Sequence, residues 1–487
     1  MKKTGLFKIT MFVLLGMVLL SWIFSASYFN EGELVDLGMY QLGFFDFFQL
    51  LFASFEFQYF LQILILLVSI GALYGVLNKT GKYRAWIDRI ANNFKGAELV
   101  FLLIVSFTVA ALTSIFDYGL LLFIFFPLII SIILAMGYDK IIACLTTFGA
   151  MLIGTIGNTL GYSTSYMLSE QLGIKVVDGM AYKLVLFVVS IAILFIFLAK
   201  AKRRKIVKNE DDDMFLGEKS SNKYSIAPII ITFSLLFIIM VVGCTNWVKT
   251  FSFEGFETLH EKITTWEINV PTFNISIDEV TCEIVKKPIF GNIIGNVSAL
   301  GNWYYAEMSI ICLMAALFVG LFYKIKLSDR FEYMADGAKK MLKPALLVVF
   351  IYAVVYYAGN SMFYPTIAKY ILGLTSKFNI AFSTLTMILG SFLHVDVLYL
   401  TSYVTPQIAA QDINPIIISI LSQGIHGVTM FIAPTSATIA LGLAYLGVPY
   451  KEWVKRTWKF ALLLLATVLA VTIAAMLIIY NALRILF

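Results

Sequence analysis

The chain has 487 residues, 60% of them hydrophobic and 14% charged, with a net charge of +6; its mean hydropathy is +0.87. A soluble domain carries roughly 25% charged residues, so an ordinary soluble fold is excluded. Apolar segments near the length of a hydrocarbon core recur from end to end, which marks a polytopic integral membrane protein. The basic residues follow the loops and do not gather on one face, which excludes a nucleic-acid partner. Cys144, Cys244, Cys282 and Cys312 show no CxxC spacing, so neither a metal site nor a disulfide framework is expected. A free thiol is favoured over a Cys244–Cys282 bridge.

Residues 1–8 are basic and lead into an apolar run at 9–25. Ser25-Ala26-Ser27 would suit signal cleavage, but the run is long for a signal core and reads as a retained first helix. Residues 31–58 hold five acids and no Lys or Arg, an outside segment whose aromatic stretch 44–60 suits an interface. A span at 61–77 precedes residues 78–96, with Lys79, Lys82, Arg84, Arg89 and Lys95, an inside loop expected to form a surface helix.

The stretch 97–136 is interrupted at Thr113-Ser114-Ile115-Phe116-Asp117-Tyr118-Gly119, and each arm is short for a crossing. It reads as a re-entrant hairpin with its tip at Asp117. A helix over 141–166 is broken at Gly154-Thr155-Ile156-Gly157-Asn158-Thr159-Leu160-Gly161-Tyr162-Ser163-Thr164. With the span 184–199 it closes an N-terminal repeat, 1–199. Residues 200–224, with Lys202-Arg203-Arg204-Lys205 and Asp211-Asp212-Asp213, form a solvated inside linker. A span at 225–244 leads to the long polar insertion 245–304, where alternation at Phe273, Ile275 and Ile277 suggests a strand.

Residues 305–487 make a C-terminal repeat. It holds a span at 306–323, a basic loop at 324–343 and a span ending at Gly359-Asn360-Ser361. A second hairpin at 379–411 has Ser391, His394 and Asp396 near its tip, and a second broken helix covers 414–447. There, Ile432-Ala433-Pro434-Thr435-Ser436-Ala437-Thr438 replaces the expected apolar residues. Pro434 cannot continue the helix ladder, and irregular backbone at membrane depth survives only where it lines a cavity or is buried in protein.

Assigned to sides in this way, the inside segments carry 27 of the 36 Lys and Arg residues, a bias that places the N-terminus in the cytoplasm of a multi-pass cell-membrane protein. It also makes the first hairpin enter from inside and the second from outside. From Ser114 to Asn158 is 44 residues, and so is Ser391 to Thr435. Equal spacing under opposite orientation is the inverted-repeat pattern of alternating-access carriers. The expected fold is therefore all-α and polytopic: two inverted repeats, each with a re-entrant hairpin and a broken transmembrane helix, plus scaffold helices.

Four motifs carry a resemblance. They are Gly75-Val76-Leu77-Asn78-Lys79-Thr80-Gly81; Ala135-Met136-Gly137-Tyr138-Asp139; Asp336-Gly337-Ala338-Lys339-Lys340-Met341-Leu342; and Ala433-Pro434-Thr435-Ser436 with Gly447-Val448-Pro449-Tyr450-Lys451-Glu452-Trp453. Through these the chain resembles the YfcC branch of the ion-transporter superfamily, related to anaerobic C4-dicarboxylate (DcuC) carriers and basic amino-acid antiporters. The resemblance implies a carrier with two hairpins and two broken helices, often a homodimer. The chain departs from the pattern at Leu120-Leu121, where the family has an acidic pair in the first hairpin. It departs again at Phe392-Leu393-His394-Val395-Asp396, where the family is rich in Ser and Gly, and at His426, where the family has an acid. Substrate and coupling ion do not transfer from any one member.

Asp117 and Asp396 are acids at expected hairpin tips. A lone charge at the midplane costs roughly 2.5–3.5 kcal/mol even on permissive scales, so both are candidates for binding a substrate ammonium, a proton or Na⁺. The alternative for Asp117 is a tip reaching interfacial water, a salt bridge or a helix cap. His394 and His426 can take a proton or contact a carboxylate, or can be packed, hydrogen-bonded histidines. Ser114, Thr155, Asn158, Thr159, Ser163, Asn360, Thr435, Ser436 and Thr438 offer neutral polar groups beside half-helix N-termini, which favour carboxylates. Helix-packing hydroxyls are the alternative.

The expected activity is secondary active transport, by ion-coupled symport or exchange, of a small carboxylate-bearing metabolite. An amino acid is favoured because Asp117 would face its ammonium; a C4-dicarboxylate or other organic anion is the alternative. No catalytic residue, metal or cofactor is expected beyond Na⁺ or H⁺ as coupling ion. An intramembrane enzyme would need HExxH or GxSxG, and an ATP-driven pump GxxxxGK[ST]; none of these occurs. An ion channel would fit the hydropathy but not the inverted breaks.

Overall fold

The computed structural model describes residues 5–30, 33–56, 58–201, 217, 224–275, 280–295, 297–393, 400–402, 406–408, 411 and 413–486. Helices dominate it. Among the described residues, eight are long and apolar enough to cross a membrane: Leu6–Ile23, Tyr59–Lys79, Glu98–Phe116, Met180–Ala199, Ala227–Cys244, Tyr305–Phe322, Leu327–Ser361 and Tyr450–Asn481. Shorter apolar helices lie between them, at Phe126–Ala135, Lys140–Ile156, Ile380–Leu393, Pro415–Thr429 and Ala437–Leu446. Exposed Leu, Ile, Val and Phe side chains along the long helices suit a hydrocarbon solvent, in which every backbone polar group must be satisfied within the segment.

Small residues decide how the long helices meet. Gly71 and Gly75 are spaced as in GxxxG motifs, which let helix backbones approach closely. An added Cβ at Gly71 would lie 2.6 Å from the Gly337 carbonyl, and one at Gly75 would lie 2.9 Å from the Gly337 Cα. The helices carrying them, Gln58–Lys79 and Leu327–Ser361, therefore cross backbone to backbone. The surface helix Tyr83–Asn93 follows the first of them, held by an Arg84–Asp88 pair at 3.0 Å.

Among the described residues, two β-hairpins depart from the all-helical expectation. Ala26–Asn30 pairs antiparallel with Glu33–Gly38, joining the residues just after the first apolar run to the start of the expected outside segment 31–58. Ser27 fastens it to the end of the Leu327–Ser361 helix, its amide donating to the Met362 carbonyl at 2.9 Å and its hydroxyl 2.7 Å from that of Thr366. In the insertion, Glu267–Ile275 pairs with Val280–Pro288, with Val270 opposite Val285. The alternation at Phe273 and Ile275 lies in that strand; Ile277 is outside the described residues. Cys144, Cys244 and Cys312 are free thiols.

The first arm of the Asp117 interruption is longer than its sequence suggests. It is a helix of 19 residues, Glu98–Phe116, which is long and apolar enough to cross. The hydroxyls in its last turn do not end it, because Thr113 folds back onto the Val109 carbonyl at 2.9 Å and Ser114 reaches the Gly157 carbonyl at 2.7 Å. The chain leaves the helix at Asp117 with φ 59° and returns through a 3₁₀ stretch, Gly119–Ile124, and the helix Phe126–Ala135. Tyr118 bonds the Thr245 hydroxyl at 2.6 Å, beside the end of the Ala227–Cys244 helix. The turn at Asp117 is thus level with the end of a crossing-length helix.

Candidate functional site

The helix Lys140–Ile156 starts on Asp139, whose carboxylate caps the Ile142 amide at 2.9 Å, and carries a π turn at Leu145–Gly149. The helical ladder stops at Gly157, and a second π turn, Tyr162–Tyr166, opens the next arm, which ends at Gln171. π turns inside α-helices are frequent at functional sites. A helix that stops inside the protein leaves carbonyls without intrahelical partners, and their replacements define this site.

Ser114 donates to the Gly157 carbonyl at 2.7 Å, and its own carbonyl receives the Thr159 amide at 2.9 Å. Asn158 donates through Nδ2 to the Thr113 carbonyl at 3.1 Å and accepts the Gly161 amide at 3.1 Å. The end of the Glu98–Phe116 helix is thereby sewn to the break. From the other half of the chain, Gln423 donates through Nε2 to the carbonyls of Ile156 at 3.1 Å and Asn158 at 2.9 Å. Gly427 on the same helix makes this approach possible, since a Cβ there would lie 2.6 Å from Ile156 Cγ1.

Two charges flank the arm that follows. The Asp117 carboxylate accepts the Ser163 hydroxyl at 2.5 Å, the Thr164 amide at 2.8 Å and the Thr164 hydroxyl at 2.9 Å. A carboxylate accepting amide and hydroxyl protons at a helix start is the arrangement of an N-cap, supplied here from 46 residues away. On the other side, Lys183 is fully buried and its Nζ donates to the Ser165 hydroxyl at 3.1 Å. Ser165 in turn donates to the Asn158 carbonyl at 2.8 Å and faces Gln423 Oε1 at 3.3 Å.

The second break separates Pro415–Thr429 from Ala437–Leu446. Thr435 donates to the Phe392 carbonyl at 2.8 Å, tying this break to the end of the Ile380–Leu393 helix with donor and acceptor exchanged relative to Ser114 and Gly157. Ser436 caps the following helix, accepting the Ile439 amide at 3.4 Å. The carbonyls freed before Pro434 go to the last helix, Tyr450–Leu486: Trp453 Nε1 donates to Phe431 at 2.7 Å, and the Tyr450 hydroxyl donates to Ile432. His426 Nδ1 lies 3.3 Å from the Ser391 hydroxyl, which donates its one proton to Met387 at 2.7 Å.

The sequence candidates thus fall into groups. Ser114, Asn158 and Thr159 meet at the first break, and Asp117 meets Ser163 just beyond it. Thr435, Ser436 and His426 surround the second break. Thr155 bonds back to Met151 of its own helix at 3.3 Å, and Asn360 bonds back to Tyr356 at 2.9 Å. Thr438 is in the first turn of Ala437–Leu446 and partly buried. His394 and Asp396 lie outside the described residues. Gln423 and Lys183 were not among the candidates. Gln423 had one signal, a long polar side chain three residues before His426 in an apolar helix. Lys183 had none, because a lysine beside an apolar run reads as an interfacial anchor. Among the described residues, no group of three or more His, Cys, Asp or Glu side chains could hold a metal.

The architecture and the two polar breaks define a multi-pass helical membrane protein with internal polar centres, the form that membrane transporters take. The family described as C4-dicarboxylate anaerobic carrier, DcuC, matches residues 4–477. The chain belongs to that transporter family. An Escherichia coli protein described as a putative basic amino acid antiporter, YfcC, is 21% identical over 414 residues, 81% of this chain and 73% of that protein. A Haemophilus influenzae protein described as uncharacterized is 23% identical over 203 residues, 37% of this chain and 40% of that protein's length. The crystal structure of the Alcanivorax borkumensis YdaH transporter aligns with 96% of this chain and 97% of its own, at 14% identity and a TM-score of 0.39.

Proposed function

We propose that this protein is a secondary active carrier of a small carboxylate-bearing metabolite, working by alternating access between two inverted repeats in the cell membrane, with a cytoplasmic N-terminus. The observation that carries the reading is the matched pair of tip-to-break bonds. Ser114 reaches the Gly157 carbonyl across 43 residues, and Thr435 reaches the Phe392 carbonyl across 43 residues. Each bond ties an unwound segment to the end of a preceding helix, with donor and acceptor exchanged between the two halves, and Gln423 bridges from one half to the other. Half-helix starts and unwound carbonyls are the groups that carriers use for substrate and coupling cation.

The substrate reading turns on Asp117. An amino-acid carrier would use it to receive an ammonium, yet its carboxylate is already held by Ser163 and Thr164. That favours an organic anion such as a C4-dicarboxylate over an amino acid. Na⁺ or H⁺ supplies the driving gradient, and two copies assemble as a homodimer.

The test is uptake and exchange of labelled amino acids and dicarboxylates in proteoliposomes, with Na⁺ and pH gradients imposed separately. Accumulation against a concentration gradient, dependent on one ion, is expected. A conductance without accumulation of any of the compounds would overturn the carrier reading.

A further inference from the structure

We propose that Lys183 is the positive charge that receives a carboxylate of the transported molecule at the first break, an inference that rests on the carrier reading above. Four observations lead there. Lys183 has no exposed surface, so its ammonium does not snorkel to an interface as lysines near helix ends do. Its Nζ hydrogen bond goes to the neutral Ser165 hydroxyl, and among the described residues no acid pairs with it. An ammonium has three donors, and a buried charge is retained where it is paired or where a partner arrives. Finally, the helix that carries it, Met180–Ala199, is pressed against the break itself: a Cβ on Gly157 would lie 2.5 Å from the Cα of Phe187, one turn beyond Lys183.

The nearby acid is committed elsewhere. Asp117 grips Ser163 and Thr164 while Lys183 grips Ser165, so opposite charges hold consecutive residues of one short segment without meeting. An incoming carboxylate can accept from the Lys183 ammonium and from the Ser165 hydroxyl together. Doing so takes that hydroxyl away from the Asn158 carbonyl and Gln423 Oε1, which it now joins. Occupation of the subsite therefore exchanges a bond between the two halves of the chain for a bond to the substrate, and binding loosens the seam that transport must open.

The experiment uses the full chain in proteoliposomes. For whichever of succinate, glutamate and arginine the wild type moves, inhibition by the acid is compared with inhibition by its carboxamide (succinamate, glutamine or argininamide). The wild type is expected to prefer the acid by about tenfold or more, the size of a charge-assisted hydrogen bond. Lys183→Met is expected to erase that preference by raising KM for the acid, with the carboxamide affected little. Lys183→Gln, which keeps a donor toward Ser165, serves if the methionine variant is not monodisperse, and Lys183→Arg should retain part of the preference. A wild type without acid preference, or a preference that survives Lys183→Met and Lys183→Gln, overturns this inference and leaves the carrier reading standing. A wild type that accumulates none of the three and shows an ion conductance instead overturns both.

Discussion

The two breaks are built alike in outline and differ in what finishes them. Each is tied to the end of a preceding helix by a hydroxyl–carbonyl bond, Ser114 to Gly157 in one half and Thr435 to Phe392 in the other. The freed carbonyls of the first are then taken by Gln423 from the opposite half, and a partly buried acid and a fully buried base stand on either side of the arm that follows. Those of the second are taken by two aromatic side chains of the last helix, Tyr450 and Trp453. The first break is therefore a charged seam between halves, and the second is a joint fastened by aromatic side chains of its own half. Similar local sequence, glycine or proline among hydroxyl residues, thus supports two kinds of centre, and only contacts distant along the chain separate them.

That contrast is open to direct attack, and the largest effect is expected at the seam. Gln423→Leu removes the donor shared by the Ile156 and Asn158 carbonyls. A buried group left unpaired costs about 1–3 kcal/mol, so both stability and initial uptake rate should fall, the rate by about tenfold or more. Unchanged uptake would mean that the halves are not joined there. Asp117→Asn should lower the unfolding temperature, because Ser163 and Thr164 both donate to one carboxylate oxygen and a neutral amide oxygen in its place accepts weaker hydrogen bonds. KM separates the two roles of this residue. A KM raised for amino acids alone would restore it as an ammonium site, whereas a stability loss with KM unchanged leaves it as a cap.

Smaller changes are expected at the joint. Trp453→Phe keeps the ring in place but deletes the hydrogen bond to Phe431, a loss of about 1 kcal/mol in stability with KM for any substrate preserved. A large KM change here would erase the distinction between seam and joint. Ser436→Ala should be the mildest. N-cap replacements cost about 0.5–2 kcal/mol, and a cap bond of 3.4 Å belongs near the bottom of that range, measurable by denaturation and silent in transport.

What the sequence disclosed, and what it hid, follows the same division. Apolar length gave the membrane class, and the clusters around Asn158 and Thr435 marked where helices stop, because glycine, proline and hydroxyl residues act through the local backbone. The 26–38 hairpin escaped notice, since its two strands are short and its anchor, Thr366, is over 300 residues away. Lys183 stands at the start of an apolar run, and nothing nearby in the chain shows that its ammonium meets Ser165. Asp117 was placed at a turn, but its partners lie 46 residues on, and so a carboxylate that could greet a substrate proves to be engaged by its own chain. Local pattern exposes where the backbone must be irregular; it does not expose which distant groups answer it.

The grip of Tyr450 and Trp453 on the second joint has a mechanical consequence. These residues open a helix of 37 residues, much of whose surface is exposed along its length, while their hydroxyl and indole hold the end of a helix deep in the protein. Any tilt of the inner helix must either snap two hydrogen bonds or swing the long one through the surrounding lipid. The last helix is thus a lever arm with its short end inside the machine and its long end in the bilayer, so the stiffness and thickness of the membrane bear on how easily the inner helix moves.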